Sequence, residues 1–324
     1  MGDNPLLSIV IANYNYGRFL GEAIESVLSQ VGERRDQVLP GEVELIIIDG
    51  GSTDNSVEVI RKYAGELPSG VQRGDPSIVD LHLPPTPITY RVSEPDKGQS
   101  NAFNKGFAKA KGRFLTWLNA DDVMLPGTIE ALKNAAEKYP ACEWFVGGCF
   151  WLDPQMRIVN CGRGRPFSEI RYRQGNVSTW GPSSFFTKRL LDAVGGVDER
   201  FHYAMDSDLW LRFACQQGAR YRPFCDYAWG LRLHPDAKMS RQNFSADGKL
   251  ELGQEHVMDE RQRKAEVQQR REAQWMREYF DFKPSGMLSH VLSACWRQVI
   301  AAKIDLWSYR NEKYLKYFEN KGLL

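Results

Sequence analysis

The sequence lacks the features by which several large classes of protein are recognised. Its 42 Lys and Arg residues nearly balance 41 Asp and Glu residues, so no overall charge attracts nucleic acid or an anionic membrane. Its six cysteines include no C-x-x-C pair, which disfavours a structural zinc site or a disulfide framework and predicts reduced thiols. No apolar run has the length of a membrane span, and the N-terminus does not resemble a signal peptide. We therefore expect a soluble, cytoplasmic protein that does not bind nucleic acid.

Two glycine-rich signatures are also missing. Nicotinamide-dependent oxidoreductases carry G-x-G-x-x-G after the first strand, whereas residues 12–19 here read ANYNYGRF. Sugar nucleotidyltransferases would place a glycine-rich, basic loop at the same position, and none is present. The sequence therefore disfavours both of these enzyme classes.

What the sequence does contain is a series of short apolar runs separated by amphipathic stretches. Residues 6–12 and 43–48 are apolar and β-branched, which is typical of strands buried on both faces of a parallel sheet. Further strands are predicted at 88–92 and 114–118, with helices between the strands. This alternation predicts an α/β fold with a doubly wound sheet.

Three local features are predicted as well. Ser52 or Thr53 is expected to cap the helix that runs to about residue 64. The apolar run WFVGGCFWL, residues 144–152, predicts strand pairing. A helix is expected over 209–217, preceded by an acidic turn.

A change of composition near residue 244 predicts the end of the main domain. Residues 246–280 are rich in Glu, Arg, Gln and Lys, and residues 287–318 place apolar side chains on broadly one helical face, with cations around it. The predicted bounds are 1–244 for the main domain, with halves of about 1–122 and 123–244, and 245–324 for a helical extension.

The extension has two interpretations. It packs on the main domain or on a second copy in a homodimer, or it lies on the inner surface of the membrane as an amphipathic helix. The second interpretation makes the protein a peripheral membrane protein.

Two acidic motifs carry the strongest chemical signal. In LTWLNADD, Asp121 and Asp122 follow a buried strand, at the edge where open α/β sheets bind ligands. Carboxylate oxygens suit Mg²⁺ or Mn²⁺, which in turn can hold a diphosphate. Alone, the pair is equally consistent with a helix cap. In FHYAMDSDLWLRFA, Asp206 and Asp208 stand at the start of a helix, where a carboxylate is stabilised in its ionised form and can accept a proton from a hydroxyl.

These motifs occur in a fixed order with three others, IVIANYNYG, IIIDGGSTDNS and SEPDKGQSNAFNKG. Together they resemble the inverting family 2 glycosyltransferases over roughly residues 6–240. The resemblance implies the GT-A fold, a mixed sheet with a Rossmann-like nucleotide-binding half. It also implies the transfer of a sugar, with inversion, from a nucleotide diphosphate-sugar to an acceptor hydroxyl. A UDP-sugar donor, Mn²⁺ or Mg²⁺, and a sugar or lipid-linked glycan acceptor in bacterial polysaccharide or glycan biosynthesis are the expected partners.

The resemblance also implies roles for residues of the first half. Asp49 matches the position that contacts the nucleobase, and the backbone of Ala12, Asn13 and Tyr14 matches the frame of the base and ribose. Asp96 and Lys97 lie where members of the family contact the donor.

In the acidic motifs, Asn119 stands where the family's D-x-D element has its first Asp. Asp121 matches the metal-binding carboxylate, and Asp122 matches its neighbour on the donor sugar or metal. Asp206 matches the catalytic base, and Asp208 is expected to support the loop or to cap the helix.

The segment LRLHPDAKMS adds His234, expected as a metal ligand, and Lys238, expected to contact the diphosphate. An alternative interpretation is a catalytically inactive nucleotide-sugar-binding module, because Asn119 removes one negative charge. Retention of Asp121, Asp122 and Asp206 together favours the enzyme.

Overall fold

A computed structural model describes residues 4–32, 38–39, 41–65, 88–164, 181–216, 220–224 and 227–238. The predicted helical extension 245–324 and the predicted boundary near residue 244 lie outside these residues. The two interpretations of the extension therefore stay predictions.

The described residues form eleven strands and six α-helices. The strands are β1 (Leu7–Asn13), β2 (Val43–Asp49), β3 (Ile88–Ser93), β4 (Phe114–Asn119), β5 (Val123–Met124), β6 (Trp144–Val146), β7 (Cys149–Leu152), β8 (Ile158–Gly162), β9 (Ser184–Thr187), β10 (Tyr221–Pro223) and β11 (Trp229–Arg232). The helices are α1 (Gly17–Leu28), α2 (Ser56–Tyr63), α3 (Gln99–Lys109), α4 (Thr128–Lys138), α5 (Lys188–Ala193) and α6 (Met205–Ala214).

The main sheet has seven strands in the order β10-β6-β9-β4-β1-β2-β3. Strands β4, β1, β2 and β3 run parallel, and β9 is antiparallel to both of its neighbours. The parallel register places Asn13 beside Asp49, Asp49 beside Ser93, and Ala12 beside Asn119. The carboxyl ends of four strands therefore meet along one edge of the sheet, as expected for a doubly wound fold.

The central strands are buried on both faces, because alternate residues enter two different cores. Ile9 and Ile47 pack with α1, whereas Val10 and Ile46 pack with α3. A Cβ on Gly106 of α3 would lie 2.2 Å from Val10 Cγ1, so the absence of a side chain lets this helix approach β1 closely. The predicted mixed α/β fold with a doubly wound sheet is confirmed.

Aromatic packing fixes α6 against the same sheet. The ring of Trp117 in β4 stacks on that of Trp210 in α6, with centroids 5.4 Å apart, and Trp144 in β6 stacks on Trp210 from 5.3 Å. Aromatic pairs of this kind add to the free energy gained from burial. The first turn of α6 is thereby positioned relative to the end of β4.

A second sheet has the order β5-β11-β7-β8. Residues 120–122, which we call the β4 turn, connect β4 to strand β5, and β5 pairs with β11. The residues that follow β11, 233–238, are thereby brought to the same end of the molecule as the β4 turn. We call residues 233–238 the closing segment.

The structure confirms one local prediction and corrects two. The run 144–152 forms paired strands as predicted, and Gly147 and Gly148 divide it into β6 of the main sheet and β7 of the second sheet. The helix expected over 209–217 begins at Met205 and ends at Ala214, so the acidic residues lie in its first turn.

The expected cap of α2 is also wrong. The helix begins at Ser56, beyond the reach of Ser52 or Thr53, and its first N–H donates to Asp54 Oδ1 at 3.0 Å. The hydroxyl of Ser52 donates instead to Asp49.

Candidate active site

The carboxyl end of β2 carries a buried carboxylate whose oxygens are occupied by the protein. Asp49 is 0% exposed. It accepts hydrogen bonds from Asn13 Nδ2 at 2.6 Å, from Ser93 Oγ at 2.6 Å, and from the N–H and hydroxyl of Ser52 at 3.0 and 2.5 Å. Burial raises the pKa of the Asp49 carboxyl, but the hydrogen bonds from Ser52, Ser93 and Asn13 outweigh burial and keep the pKa below its usual value. An ionised Asp49 therefore ties the ends of β1, β2 and β3 together.

The surface beside Asp49 is formed by Tyr14, Gly50 and Asp96. Tyr14 leaves 59% of its surface exposed at the end of β1. A Cβ on Gly50 would lie 2.7 Å from Asp96 Oδ2 and 3.3 Å from a ring carbon of Tyr14, so both side chains contact bare backbone. Asp96 also accepts the N–H of Gly98 at 2.7 Å. A flat aromatic ring beside a carboxylate is a surface on which a heteroaromatic base can stack and donate a hydrogen bond.

The remaining residues predicted for the donor differ in what they present. Ala12 offers only backbone, which lies between Ile48 of β2 and Asn119 of β4. The side chain of Asn13 is buried and is used by Asp49 and Ser52. Lys97 is exposed at the loop before α3.

The turn after β4 places its two carboxylates in different environments. Asp121 is partly exposed, whereas Asp122 is buried. Asp122 accepts hydrogen bonds from Asn119 Nδ2 at 2.7 Å and from the N–H of Arg232 at 2.9 Å. Burial, together with the neighbouring charge of Asp121, raises the pKa of Asp122 well above its usual value. Asp121 is thus the carboxylate of this turn that a ligand can reach.

The closing segment places a histidine on Asp121. Nε2 of His234 lies 3.1 Å from Asp121 Oδ2, although 113 residues separate the two in the chain. The ring packs against Phe19, with centroids 4.6 Å apart, and edge-on against Tyr16 at 5.7 Å. The start of α1 therefore holds the imidazole in place beside the β4 turn.

The closing segment also places a cation between two other elements. Lys238 Nζ donates to Gln99 Oε1 at 3.3 Å, and it donates to the carbonyl of His202. It lies 4.8 Å from the ring centroid of Tyr203. Lys238 thus connects the start of α3 with the loop that precedes α6.

Asp206 lies in the first turn of α6, shortly after the loop residues that Lys238 contacts. The carboxylate is partly buried and accepts the N–H of Ser207 at 2.6 Å. Burial raises the pKa of Asp206, while the hydrogen bonds from Ser207 and the charge of Lys238 oppose that shift without cancelling it. A carboxylate with a raised pKa is a stronger general base than an ordinary aspartate.

Asp208, two residues further along α6, has a different environment. It is buried and accepts Arg212 Nε at 2.8 Å. The same guanidinium donates to the carbonyls of Val194 and Gly196 at 2.7 and 2.8 Å. Through Arg212, Asp208 supports the loop before α6, as the sequence predicted.

The predicted metal ligands offer two donors. Asp121 supplies a carboxylate oxygen and His234 an imidazole nitrogen, and among the described residues no cluster of three or more His, Cys, Asp or Glu side chains accompanies them. Divalent ions that act on nucleotides are bound by one or two protein groups and complete their coordination with phosphate oxygens and water. This donor pair therefore fits a divalent ion that is bound together with a diphosphate.

Several residues of the site carried no signal in the sequence. Gln99 touches both Asn119 and Lys238, and Ser93 and Ser52 complete the partners of Asp49. Their residue types are common in loops, and only the parallel register and the position of the closing segment give them these contacts. Nothing in the sequence distinguishes Phe19, whose ring packs against His234, from the other apolar residues of α1.

Comparison with known proteins identifies the family. Residues 8–187 match the model of glycosyl transferase family 2, which is more than half of the chain.

The chain belongs to glycosyl transferase family 2.

Curated relatives agree with this assignment. An uncharacterized glycosyltransferase of Mycobacterium tuberculosis is 30% identical over 219 residues, which cover 66% of this chain and 71% of the relative. The chondroitin synthase of Pasteurella multocida is 26% identical over 235 residues, which cover 72% of this chain but 21% of that enzyme. The matched part of the chain spans 31% of a Nostoc glycosyltransferase and 59% of a Rickettsia prowazekii one.

A solved structure of TarS 1-349 from S. aureus in complex with UDP-GlcNAc is 16% identical and has a TM-score of 0.49. The alignment covers 70% of this chain and 58% of TarS 1-349. The match over residues 8–187 confirms the family that the sequence predicted. Within the described residues, no helix combines the length and apolar character needed to cross a membrane.

Proposed function

We propose that this family 2 glycosyltransferase moves a sugar, with inversion, from a nucleotide diphosphate-sugar to an acceptor hydroxyl, and that it needs Mn²⁺ or Mg²⁺. The observation that carries the proposal is the closing segment. Nε2 of its His234 lies 3.1 Å from Asp121 Oδ2, and its Lys238 contacts His202 and Tyr203 in the loop that leads into α6. The closing segment therefore contacts both the turn that carries Asp121 and the loop that leads to Asp206, and this proximity supports a shared site.

The donor base lies on Tyr14, Gly50 and Asp96 in this proposal. Tyr14 supplies the stacking surface and Asp96 accepts an N–H of the base, with Ala12 and Asn13 lining the ribose side. The four protein hydrogen bonds to Asp49 support a role in shaping this surface. A UDP-sugar remains the favoured donor.

The departing diphosphate lies near Asp121, His234 and Lys238. A divalent ion held by the first two, when bound, would neutralise negative charge on the diphosphate. The ammonium of Lys238 adds a compact positive charge. Its attraction to the diphosphate increases as the departing diphosphate gains negative charge. Lys97, which is exposed at the loop before α3, is a further contact for the donor.

Asp206 receives the proton of the acceptor hydroxyl. Its raised pKa increases its basicity, and proton transfer becomes favourable late in the reaction, when the hydroxyl acidifies as it bonds to the sugar. A single displacement by an activated hydroxyl inverts the configuration at the sugar carbon. Homology to a chondroitin synthase supports a glycan acceptor and a role in polysaccharide biosynthesis.

A thermal-shift screen of UDP, GDP, dTDP and CMP, each with and without Mn²⁺, tests the donor site, because a ligand that binds only the folded state raises the melting temperature. A shift with one nucleoside diphosphate that requires Mn²⁺ is expected, and no shift with any of them would contradict the proposal.

Asp121→Ala then tests the metal site. We expect at least a tenfold loss of Mn²⁺-dependent affinity for the selected nucleotide, measured by calorimetry, since the variant removes one of two protein donors. Glu58→Gln, an exposed change in α2, serves as the control. The inactive-module alternative would show tight nucleotide binding without any release of UDP from a donor.

A further inference from the structure

The substitution of Asn for the first Asp of the D-x-D element has a structural explanation. Asn119 Nδ2 donates to Asp122 Oδ2 at 2.7 Å, and Asn119 Oδ1 accepts Gln99 Nε2 at 2.9 Å. An aspartate at this position has no donor for Asp122 and would place two carboxylates against each other. An amide is therefore required at 119 by its neighbours on both sides.

Gln99 continues the same series of hydrogen bonds. Its Oε1 accepts from Lys238 Nζ at 3.3 Å while its Nε2 donates to Asn119. At the far end, Asp122 Oδ1 accepts the N–H of Arg232 at 2.9 Å. The result is one continuous chain that runs from the closing segment, through α3 and the β4 turn, to the end of β11.

The two ends of this chain fix its direction. A lysine ammonium can only donate, so it selects the oxygen of Gln99, whose nitrogen must then face Asn119. Asp122 accepts at both of its carboxyl oxygens, from Asn119 Nδ2 and from the N–H of Arg232, so the nitrogen of Asn119 faces it. Neither amide can rotate by 180° without placing like groups against each other, so both ends hold the amides in a single orientation.

We propose that Gln99 is a positioning residue: with Asn119, it couples the Asp121–Asp122 turn to Lys238 so that the metal side and the base side of the site are set as one unit. This inference rests on the proposed function for its catalytic consequence, although the chain itself can be tested without a substrate. It assigns to Asn119 and Asp122 a role inside the protein in place of direct contact with the donor.

Two variants each disrupt one link. In Gln99→Glu, the new carboxylate still accepts a hydrogen bond from Lys238 but cannot donate one to Asn119 Oδ1. If the Asn119 amide rotates to donate to the new carboxylate, its oxygen then faces the carboxylate of Asp122. In Asp122→Asn, an amide nitrogen faces either Asn119 Nδ2 or the N–H of Arg232. A buried polar group left unsatisfied is strongly unfavourable, so each variant should raise the unfolding equilibrium constant by roughly tenfold.

The double variant Gln99→Glu/Asp122→Asn satisfies every link again, in the reverse direction. Lys238 and Asn119 Nδ2 both donate to Glu at 99, Asn at 122 donates to Asn119 Oδ1, and its own oxygen accepts from Arg232. Net charge is unchanged. We expect an unfolding constant within about threefold of the starting protein, in contrast to the roughly hundredfold product expected for independent sites.

The functional measurements use the full chain, with Mn²⁺ alone, UDP with Mn²⁺, and release of UDP from a UDP-sugar. For each single variant we expect kcat to fall roughly tenfold or more, because misplacement of reacting groups acts on the chemical step, with a smaller change in KM. The double variant should recover most of kcat. Gln99→Glu/Glu58→Gln has the same net charge without the repaired chain and should show no recovery.

The outcomes separate the two proposals. If the double variant unfolds as easily as the product of the single variants indicates, or if kcat does not recover, the coupling by Gln99 is wrong. If the starting protein binds neither Mn²⁺ nor UDP and releases no UDP, the proposed function fails, while the unfolding measurements still decide whether the chain exists.

Discussion

The two acidic groups at opposite sides of the candidate site differ in how the protein treats them. Asp49, at the end of β2, has no exposed surface, accepts four hydrogen bonds and has a lowered pKa. Asp206, in the first turn of α6, is partly exposed and has a raised pKa. The protein stabilises the charge of the first and destabilises the charge of the second. The first arrangement is that of a structural group, whereas the second leaves basicity available for chemistry.

The largest effect is expected when the carboxylate of Asp206 is removed. Asp206→Asn should lower transfer by roughly 10²–10⁴-fold, the usual contribution of a general base, and leave nucleotide affinity within about twofold, since the base contacts lie at the other end of the site. Because the pKa of Asp206 is raised by folding, its ionised form opposes folding at neutral pH, so the variant should also unfold at a slightly higher temperature.

UDP release, calorimetry and thermal unfolding of the same preparation measure the three quantities. Unchanged turnover in Asp206→Asn would remove this residue from its role. Asp206→Glu keeps the charge but displaces it, and it should retain part of the activity.

The next largest effect, on stability, is expected when the carboxylate of Asp49 is removed. Asp49→Ala removes the common acceptor of four hydrogen bonds from Asn13, Ser52 and Ser93 and should cost about 3 kcal/mol of unfolding free energy, measured by urea denaturation without any ligand. Asp96→Ala, at the end of the neighbouring strand, removes one hydrogen bond from a partly exposed group and should cost less than about 1 kcal/mol.

For nucleotide affinity we expect the opposite order: Asp96→Ala should have a larger effect than Asp49→Ala. Asp96→Ala should weaken UDP binding with little loss of stability. If Asp49→Ala instead weakened UDP binding at unchanged stability, Asp49 would be the base-contacting carboxylate that its position in the motif implies.

The dependence of kcat on pH provides a further test of Asp206 as the general base. Asp206 acts as a base when ionised, so kcat should fall as the pH drops through its pKa, by about tenfold per pH unit well below it. The raised pKa places this limb above the reference value of about 3.9 for an aspartate. Nucleotide affinity, measured by calorimetry over the same pH range, should not show the decrease that protonation of Asp206 causes in kcat. Constant kcat down to about pH 4 would contradict the assignment.

The strand-end side of the site could be predicted from the sequence, because it depends on local rules. Apolar runs located β1, β2 and β4 to within one residue, and parallel pairing brings the polar residues at their ends together. The acidic pair after β4 and the acidic residues of α6 were noticed by their positions after a strand and at the start of a helix, but their proposed roles came from the family resemblance.

The contacts of the closing segment could be predicted only in part. Assigning His234 and Asp121 to one metal ion implied that the two side chains lie close together, as they do. The route by which β11 of the second sheet brings His234 to Asp121 could not be predicted. The role of Gln99 depends on the orientation of two amides, which only the positions of Lys238 and Asp122 determine. The departure at Asn119 suggested a loss of charge, whereas in the structure it supplies a donor.

The smallest expected effect concerns how the closing segment is attached. Arg18 forms an ion pair with Asp236, but the two side chains are 57% and 59% exposed, and exposed pairs contribute between about 0 and 1 kcal/mol. Arg18→Ala should therefore change the unfolding free energy by less than about 1 kcal/mol and leave UDP release nearly unaffected. Phe19→Ala, which removes the ring packed against His234 at 4.6 Å, should lower both stability and Mn²⁺-dependent UDP affinity. A large loss of affinity in Arg18→Ala, equal to that in Phe19→Ala, would mean that surface charge and not aromatic packing holds His234 on Asp121.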